Sequence, residues 1–348
     1  MKTEKQAIQE LKQFKSTIEK DGRTKMCFFY DNSDCSDDII LAHSLQKNGV
    51  LNLIEEEIDS NMVVYSFQKM STNAFGQYTG FEKIGKGVAS TFFGFCGKHD
   101  TLIFNSIENY AVEINNSEHK FLLCYRALAR EYHRKFEQMK SYNNSDLFKS
   151  AFNDNDRLSA IKGSETAKNE LENHKKLFNT LLKDQNYDEL RYFYHVVNYC
   201  VPIACSTIMS PKFYLNNELF NFAESEEEEY EQIYLTILPT KDQTIILYAC
   251  IPDQIKSMKF IDDLEELEIN ELEHVTCSLM IYEVENAFIS PKIYETLDEK
   301  EKIRLIEAIE ISDKVGPMIH EFYHIGFNFF EERFKKTENN NALDVQTP

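Results

Sequence analysis

The chain has 348 residues, 42% of them apolar, enough for the core of one large or two medium domains. Only 7 Pro and 11 Gly occur, which excludes a collagen-like or low-complexity chain, and no apolar run reaches the roughly 18 residues of a membrane-spanning helix. The 38 Lys and Arg against 58 Asp and Glu give a formal charge of −20, which opposes nucleic-acid binding by the chain as a whole.

Residues 3–20 have helical periodicity, with Ile8, Leu11, Phe14 and Ile18 on one stripe. This start is charged and carries no apolar signal core, so the expected compartment is cytoplasmic, with no membrane partner. GRTKMCFFYDNSDCSDD (22–38) reads as a short strand and a turn-rich loop, and a helix is expected beyond His43. NMVVYSFQ (61–68) alternates like a strand, FGQYTGFEKIGKGVAS (75–90) reads as a Gly-rich loop, and a helix is expected from near Asp100. An amphipathic helix with a basic flank follows at 119–138, then a polar break at 143–157 that sets the domain boundary at 145/146, then a helix at 157–184. Strands rich in Tyr, Val, Ile and Leu are expected near 190–199, 203–208, 231–238 and 243–251. AESEEEEYEQ (223–232) reads as a solvated loop, and PTKDQ (239–243) as a hairpin turn. Helices are expected at 254–263, 268–288, 297–311 and 313–335, before a disordered tail at 337–348. The fold class is α+β: a small zinc-finger-like region with helices at 1–145, and an acidic antiparallel sheet packed with helices at 146–336.

Charge divides unevenly. Residues 1–150 carry 19 basic and 20 acidic side chains, whereas the rest carry 19 and 38. Repulsion of nucleic acid therefore falls on the second half. A nucleic-acid partner is expected through the N-terminal half, where Lys83, Lys86 and Lys98 cluster, and a protein partner through the acidic C-terminal half.

Eight cysteines in a chain of this kind read as thiols or metal ligands rather than a disulfide frame. Cys124, Cys200, Cys205, Cys250 and Cys277 lie in apolar runs and read as small buried hydrophobes. Cys27, Cys35, Cys96 and His99 are the candidate ligands of a structural zinc ion. Thiolate and imidazole suit that borderline-soft ion, and CGKH (96–99) supplies a close pair. Gly97 is expected to relieve crowding between that pair. The roughly sixty residues separating the two halves of the set add little closure cost, because that cost grows logarithmically. The alternative is that Cys27 and Cys96 are ordinary buried thiols beside Phe28 and Phe95, with His99 capping a helix.

The blocks AHSLQK (42–47) and VASTFFGFCGKHDTLIFNSIE (88–108), with a weaker echo in ENAFISPKIYETLDEKEK (285–302), resemble a group of uncharacterised bacterial proteins. The layout also resembles a divergent HNH-type finger of the ββα-metal, treble-clef kind. That resemblance implies a nuclease or nucleic-acid-binding protein in which His43 is the catalytic base and Asp100 stands near the family's Asn. It allows a second divalent ion, and a setting in phage defence. Two departures put cleavage in doubt: Ala42 stands where a ligand is usual, and Ile103 and Phe104 supply no final His.

One further motif is HEFYH (320–324), which matches HExxH. On a helix it would set His320 and His324 on one face to grip zinc, with Glu321 as base, the pattern of a metallopeptidase. A third ligand is required, and Glu331, seven residues on and about 10 Å along the axis, is too far, which leaves that ligand to come from upstream. A non-enzymatic interaction module is the remaining alternative.

Overall fold

The computed structural model describes residues 4–36, 38–72, 76–221, 229–312, 326 and 328–336. The first part of the chain forms α1 (Glu4–Gly22), β1 (Ile39–His43), α2 (Val50–Ile54), β2 (Glu56–Ile58), β3 (Asn61–Thr72), β4 (Gly76–Gly85), β5 (Thr91–Cys96) and α3 (Gly97–Glu108). Helices α4 (Ser117–Asn144), α5 (Asp146–Ala151) and α6 (Asp154–Asp184) follow. Next come β6 (Arg191–Val197), β7 (Ile203–Met209), β8 (Ile233–Pro239) and β9 (Thr244–Cys250). The last elements are α7 (Ile255–Glu265), α8 (Ile269–Tyr282), β10 (Ala287–Ile289), α9 (Pro291–Thr296) and α10 (Glu299–Ser312). The class is α+β, with antiparallel sheets packed against helices.

The larger sheet runs β2-β3-β10-β7-β8-β9-β6, with β4 paired to β3 off this path. Period-2 alternation in β8 shows why its centre is buried on both faces. Tyr234 and Leu238 join one core with α4 and α6, while Ile233, Leu235 and Ile237 join another with α7, α8 and α10. An antiparallel strand covered on both faces reads as a nearly continuous apolar run, as IYLTILP (233–239) does. Each fully buried Ile or Leu contributes about 1.5–3 kcal/mol.

The expected 145/146 boundary is crossed by both sheet and core. β3 pairs through Tyr65 and Ser66 with Ile289 and Phe288 of β10. One apolar core combines Phe28, Phe95, Phe104, Phe121 and Tyr125 with Phe178, Tyr234 and Phe288. The polar break between α4 and α6 consists of helix caps. Ser145 ends α4 and accepts from the Phe148 N–H at the start of α5, and Asn153 accepts from the Asp156 N–H at the start of α6.

Three sequence expectations need correction. The segment 75–90 is not a loop over most of its length: β4 pairs with β3 from Gly85↔Val63 to Gly76↔Thr72, and ladder hydrogen bonds override weak Gly propensity. The helix expected over 268–288 stops at Tyr282, because Ala287–Ile289 is held as a strand between β3 and β7. Of the helix expected at 313–335, the described part is not α-helical, and Glu332–Phe334 forms a single 3-10 turn. His320, Glu321 and His324 lie outside the described residues, as does the 337–348 tail.

A candidate metal centre

A second, two-stranded sheet pairs β1 with β5 antiparallel, and β5 runs directly into α3. The segment before β1 lies along β5: the Met26 N–H donates to the Phe93 carbonyl at 3.2 Å, and the Phe28 N–H to the Gly94 carbonyl at 2.8 Å. That pairing carries Cys27 to the β5 end. Cys35 arrives from a 3-10 turn, Asn32–Asp34, which Asp31 caps by accepting from the Ser33 N–H. Cys96 closes β5 opposite Ile39 and is itself the N-cap of α3, its sulfur accepting the His99 N–H at 3.4 Å. The Gly97 N–H donates to the Asp38 carbonyl at 3.3 Å and the Lys98 N–H to Ser36 Oγ at 3.3 Å, which ties the Cys35 loop to the helix start.

These four elements bring the expected ligands together. His99 Nδ1 lies 3.4 Å from Cys27 Sγ, 3.6 Å from Cys35 Sγ and 3.3 Å from Cys96 Sγ. All four donor atoms fall within 4.8 Å of one another, and this is the one such group found among the described residues. Zinc–sulfur bonds of about 2.3 Å and a zinc–nitrogen bond of about 2.05 Å at a tetrahedral angle put S and N about 3.6 Å apart. The three observed sulfur–nitrogen edges, 3.3–3.6 Å, fit that geometry. The cluster can therefore hold a metal ion.

Local chemistry suits cation binding. Burial would raise the Cys96 thiol, but hydrogen bonds from the His99 backbone and from Ser36 outweigh it and bring the group down to about 7. Burial pushes Cys27 up, and burial together with repulsion from Cys27 pushes Cys35 up to about 12. Desolvation lowers His99, which keeps its imidazole neutral and its lone pair free for a ligand bond. Phe29 covers the His99 ring at 4.0 Å between centroids. From α6, the Lys175 ammonium sits 5.2 Å from the Phe28 ring centre and 4.7 Å from that of Tyr132, and burial lowers its pKa.

Gly97 is not the relief expected of it. A Cβ there would meet Ile40 Cγ2 at 3.6 Å and Ser36 Oγ at 3.9 Å, ordinary contacts, and its φ is not in the left-handed region. Sequence reading missed Ser36, Phe29 and Lys175. The first two adjoin ligands, but Lys175 comes from a helix far along the chain, and nothing local marks it.

His43 sits elsewhere. It pairs with Thr91, at the opposite end of the β1–β5 ladder from Ile39↔Cys96, about 13 Å away at strand rise. Burial lowers its pKa, Lys47 lowers it further, and the ring hydrogen-bonds with the Lys86 backbone. Ala42, Ile103 and Phe104 are buried core residues. The basic residues expected to meet phosphates are largely engaged. Lys86 pairs with Glu55 at 2.8 Å, Lys98 with Asp34 at 2.5 Å and Arg126 with Glu108 at 2.7 Å, while Arg134 pairs with Glu285. The Arg126 guanidinium also lies 3.9 Å over the Phe104 ring. The five remaining cysteines are buried, and burial raises each of their pKa values. Among the described residues, no helix is long and apolar enough to cross a membrane.

No family model, curated protein or solved structure matches the chain.

Proposed function

We propose that the chain is a zinc-binding protein in which Cys27, Cys35, Cys96 and His99 hold one structural Zn2+. The observation that carries this reading is the convergence of three sulfurs on one imidazole nitrogen at 3.3–3.6 Å from three separate backbone segments, those of Cys27, Cys35 and the Cys96–His99 junction. Four protein donors fill a tetrahedral sphere and leave no position for substrate, which is the mark of a structural site. The ion staples the 26–28 segment and the Cys35 loop to the β5–α3 junction, whose own ties are a few hydrogen bonds. Metal analysis of purified wild type and Cys96→Ser tests this. Zinc at one per chain in the wild type and none in the variant supports it, and equal metal in both refutes it. His324→Ala, which removes half of the HExxH pair, separates the peptidase alternative: zinc lost from that variant alone would favour it.

A second reading is an HNH-like nucleic-acid-binding or nuclease unit with His43 as base. Its support is the layout β1–β5–α3, an antiparallel strand pair leading into a helix, with His43 at the end of the first strand. Desolvation favours the neutral imidazole, the form a base needs. Against cleavage stand the buried apolar residues at 42, 103 and 104 and the engaged cations. Nicking of plasmid or RNA that His43→Ala abolishes would support cleavage, and nicking that survives the change would remove His43 from it. Binding would show as a salt-dependent shift of a labelled duplex.

A further inference from the structure

The reactivity of this chain's thiols is confined to one place. Cys124, Cys200, Cys205, Cys250 and Cys277 are buried. In the cluster, Cys96 is fully buried and Cys27 is 8% exposed, whereas Cys35 is half-buried at the mouth of a loop. An oxidant from solvent therefore meets Cys35 first. A second sulfur lies within 4.8 Å of it, close enough that small loop movements bring the pair to bonding distance. Cys27 is the better partner of the two available. Cys96 is the α3 N-cap, and its sulfur accepts the His99 N–H, so recruiting it would undo the first turn of the helix. Cys27 sits in a segment held to β5 by the two bonds flanking it.

We propose that the centre is a peroxide-responsive switch, in which oxidation of Cys35 and disulfide closure with Cys27 release the metal ion and free the loop around residues 29–38. The proposal rests on the zinc reading above and concerns the regulation of that same site. The chemistry balances with a hydroperoxide as oxidant. The Cys35 thiolate attacks one peroxide oxygen, the O–O bond breaks, and a sulfenic acid and hydroxide (or alkoxide) result. The Cys27 thiolate then attacks the Cys35 sulfur, an S–S bond forms, and hydroxide leaves. Two thiolates lose two electrons, and the peroxide gains them. With two of four donors converted to a disulfide, Zn2+ keeps only Cys96 and His99 and departs. The freed loop retains the Asp38–Gly97 and Ser36–Lys98 hydrogen bonds and the exposed Lys98–Asp34 pair, the last a weak tie. A dithiol reductant with added zinc restores the resting state.

The test uses the full-length zinc-loaded protein and hydrogen peroxide. A metallochromic dye reads zinc release, and peptide mapping after alkylation reads disulfides. The expected result is one zinc released per chain together with a Cys27–Cys35 disulfide, both reversed by dithiothreitol and zinc. A variant with Cys124 and Cys200 changed to Ala should respond as wild type does. Cys35→His keeps four donors while removing the accessible thiol, and should hold its zinc under the same treatment. Zinc bound beforehand and kept through oxidation overturns the switch alone. A disulfide that excludes Cys35, or release from Cys35→His at the wild-type rate, does the same. Protein that carries no zinc before peroxide overturns the zinc reading, and this proposal with it.

Discussion

Zinc uptake by the apo chain should expel protons in a number set by the ligand environment. At pH 7 the Cys27 and Cys35 groups are thiols, since burial holds the first above its ordinary value and the second at about 12. Each must lose its proton to become a ligand. Cys96, at about 7, is half ionised before the metal arrives, and His99 is already neutral. Binding at pH 7 therefore releases roughly 2.5 protons, falling to about two at pH 8 and rising to nearly three at pH 6. The logarithm of affinity changes with pH by that same number. Near pH 7 the dissociation constant should worsen by about 2.5 decades for each unit of acidification, on the order of 3 kcal/mol. Calorimetry in buffers of different ionisation enthalpy reads the proton count, and chelator competition at pH 6, 7 and 8 reads the slope. Release of one proton or fewer, with an affinity nearly flat in pH, would mean that the thiols are not the ligands.

Other consequences are as direct. His99→Ala should abolish zinc binding and lower the thermal midpoint, whereas Cys124→Ala should leave the zinc content at the wild-type value; metal analysis beside a melting curve distinguishes them. Burial lowers His174 to about 4, against an ordinary value near 6.5, while its ring nitrogens meet the Tyr234 hydroxyl at 2.8 Å and the Gln254 amide at 3.1 Å. A group that resists protonation when folded leaves stability intact above pH 6.5 and removes about 3 kcal/mol as pH falls from there to about 4. Urea midpoints across that window should drop less steeply in His174→Asn. Asn286 is buried and donates to Ser44 Oγ at 3.0 Å and to the Ser206 carbonyl at 2.7 Å, which joins the β1 end to β7. Asn286→Ala should cost about 2–3 kcal/mol in a denaturant titration, because both acceptors lose a buried donor.

The central strands were legible because their apolar runs have strand length, and α4 and α6 because their apolar stripes persist over many turns. Segment 75–90 was not, since its Gly content hides a strand whose order comes from pairing with β3. Ala287–Ile289 was absorbed into a neighbouring helix because three residues carry no periodicity of their own, and only β3 and β7 on either side define them. The ligand set was legible through CGKH, which survives as a strand end and a helix cap. What the sequence hid was placement. Cys27 reaches the site through two hydrogen bonds to β5, and Lys175 through the packing of α6 beside α4. The basic flank of the helix at 119–138 looked free for phosphates, but distant carboxylates such as Glu285 occupy it.

The zinc staple is tested most directly by native mass spectrometry of the intact chain, compared with Cys96→Ser. The account expects one zinc ion on each wild-type chain, removed by strong chelation with loss of structure around β1, β5 and α3, and none on the variant. A wild-type chain that carries no ion and keeps the same fold in chelator would contradict it.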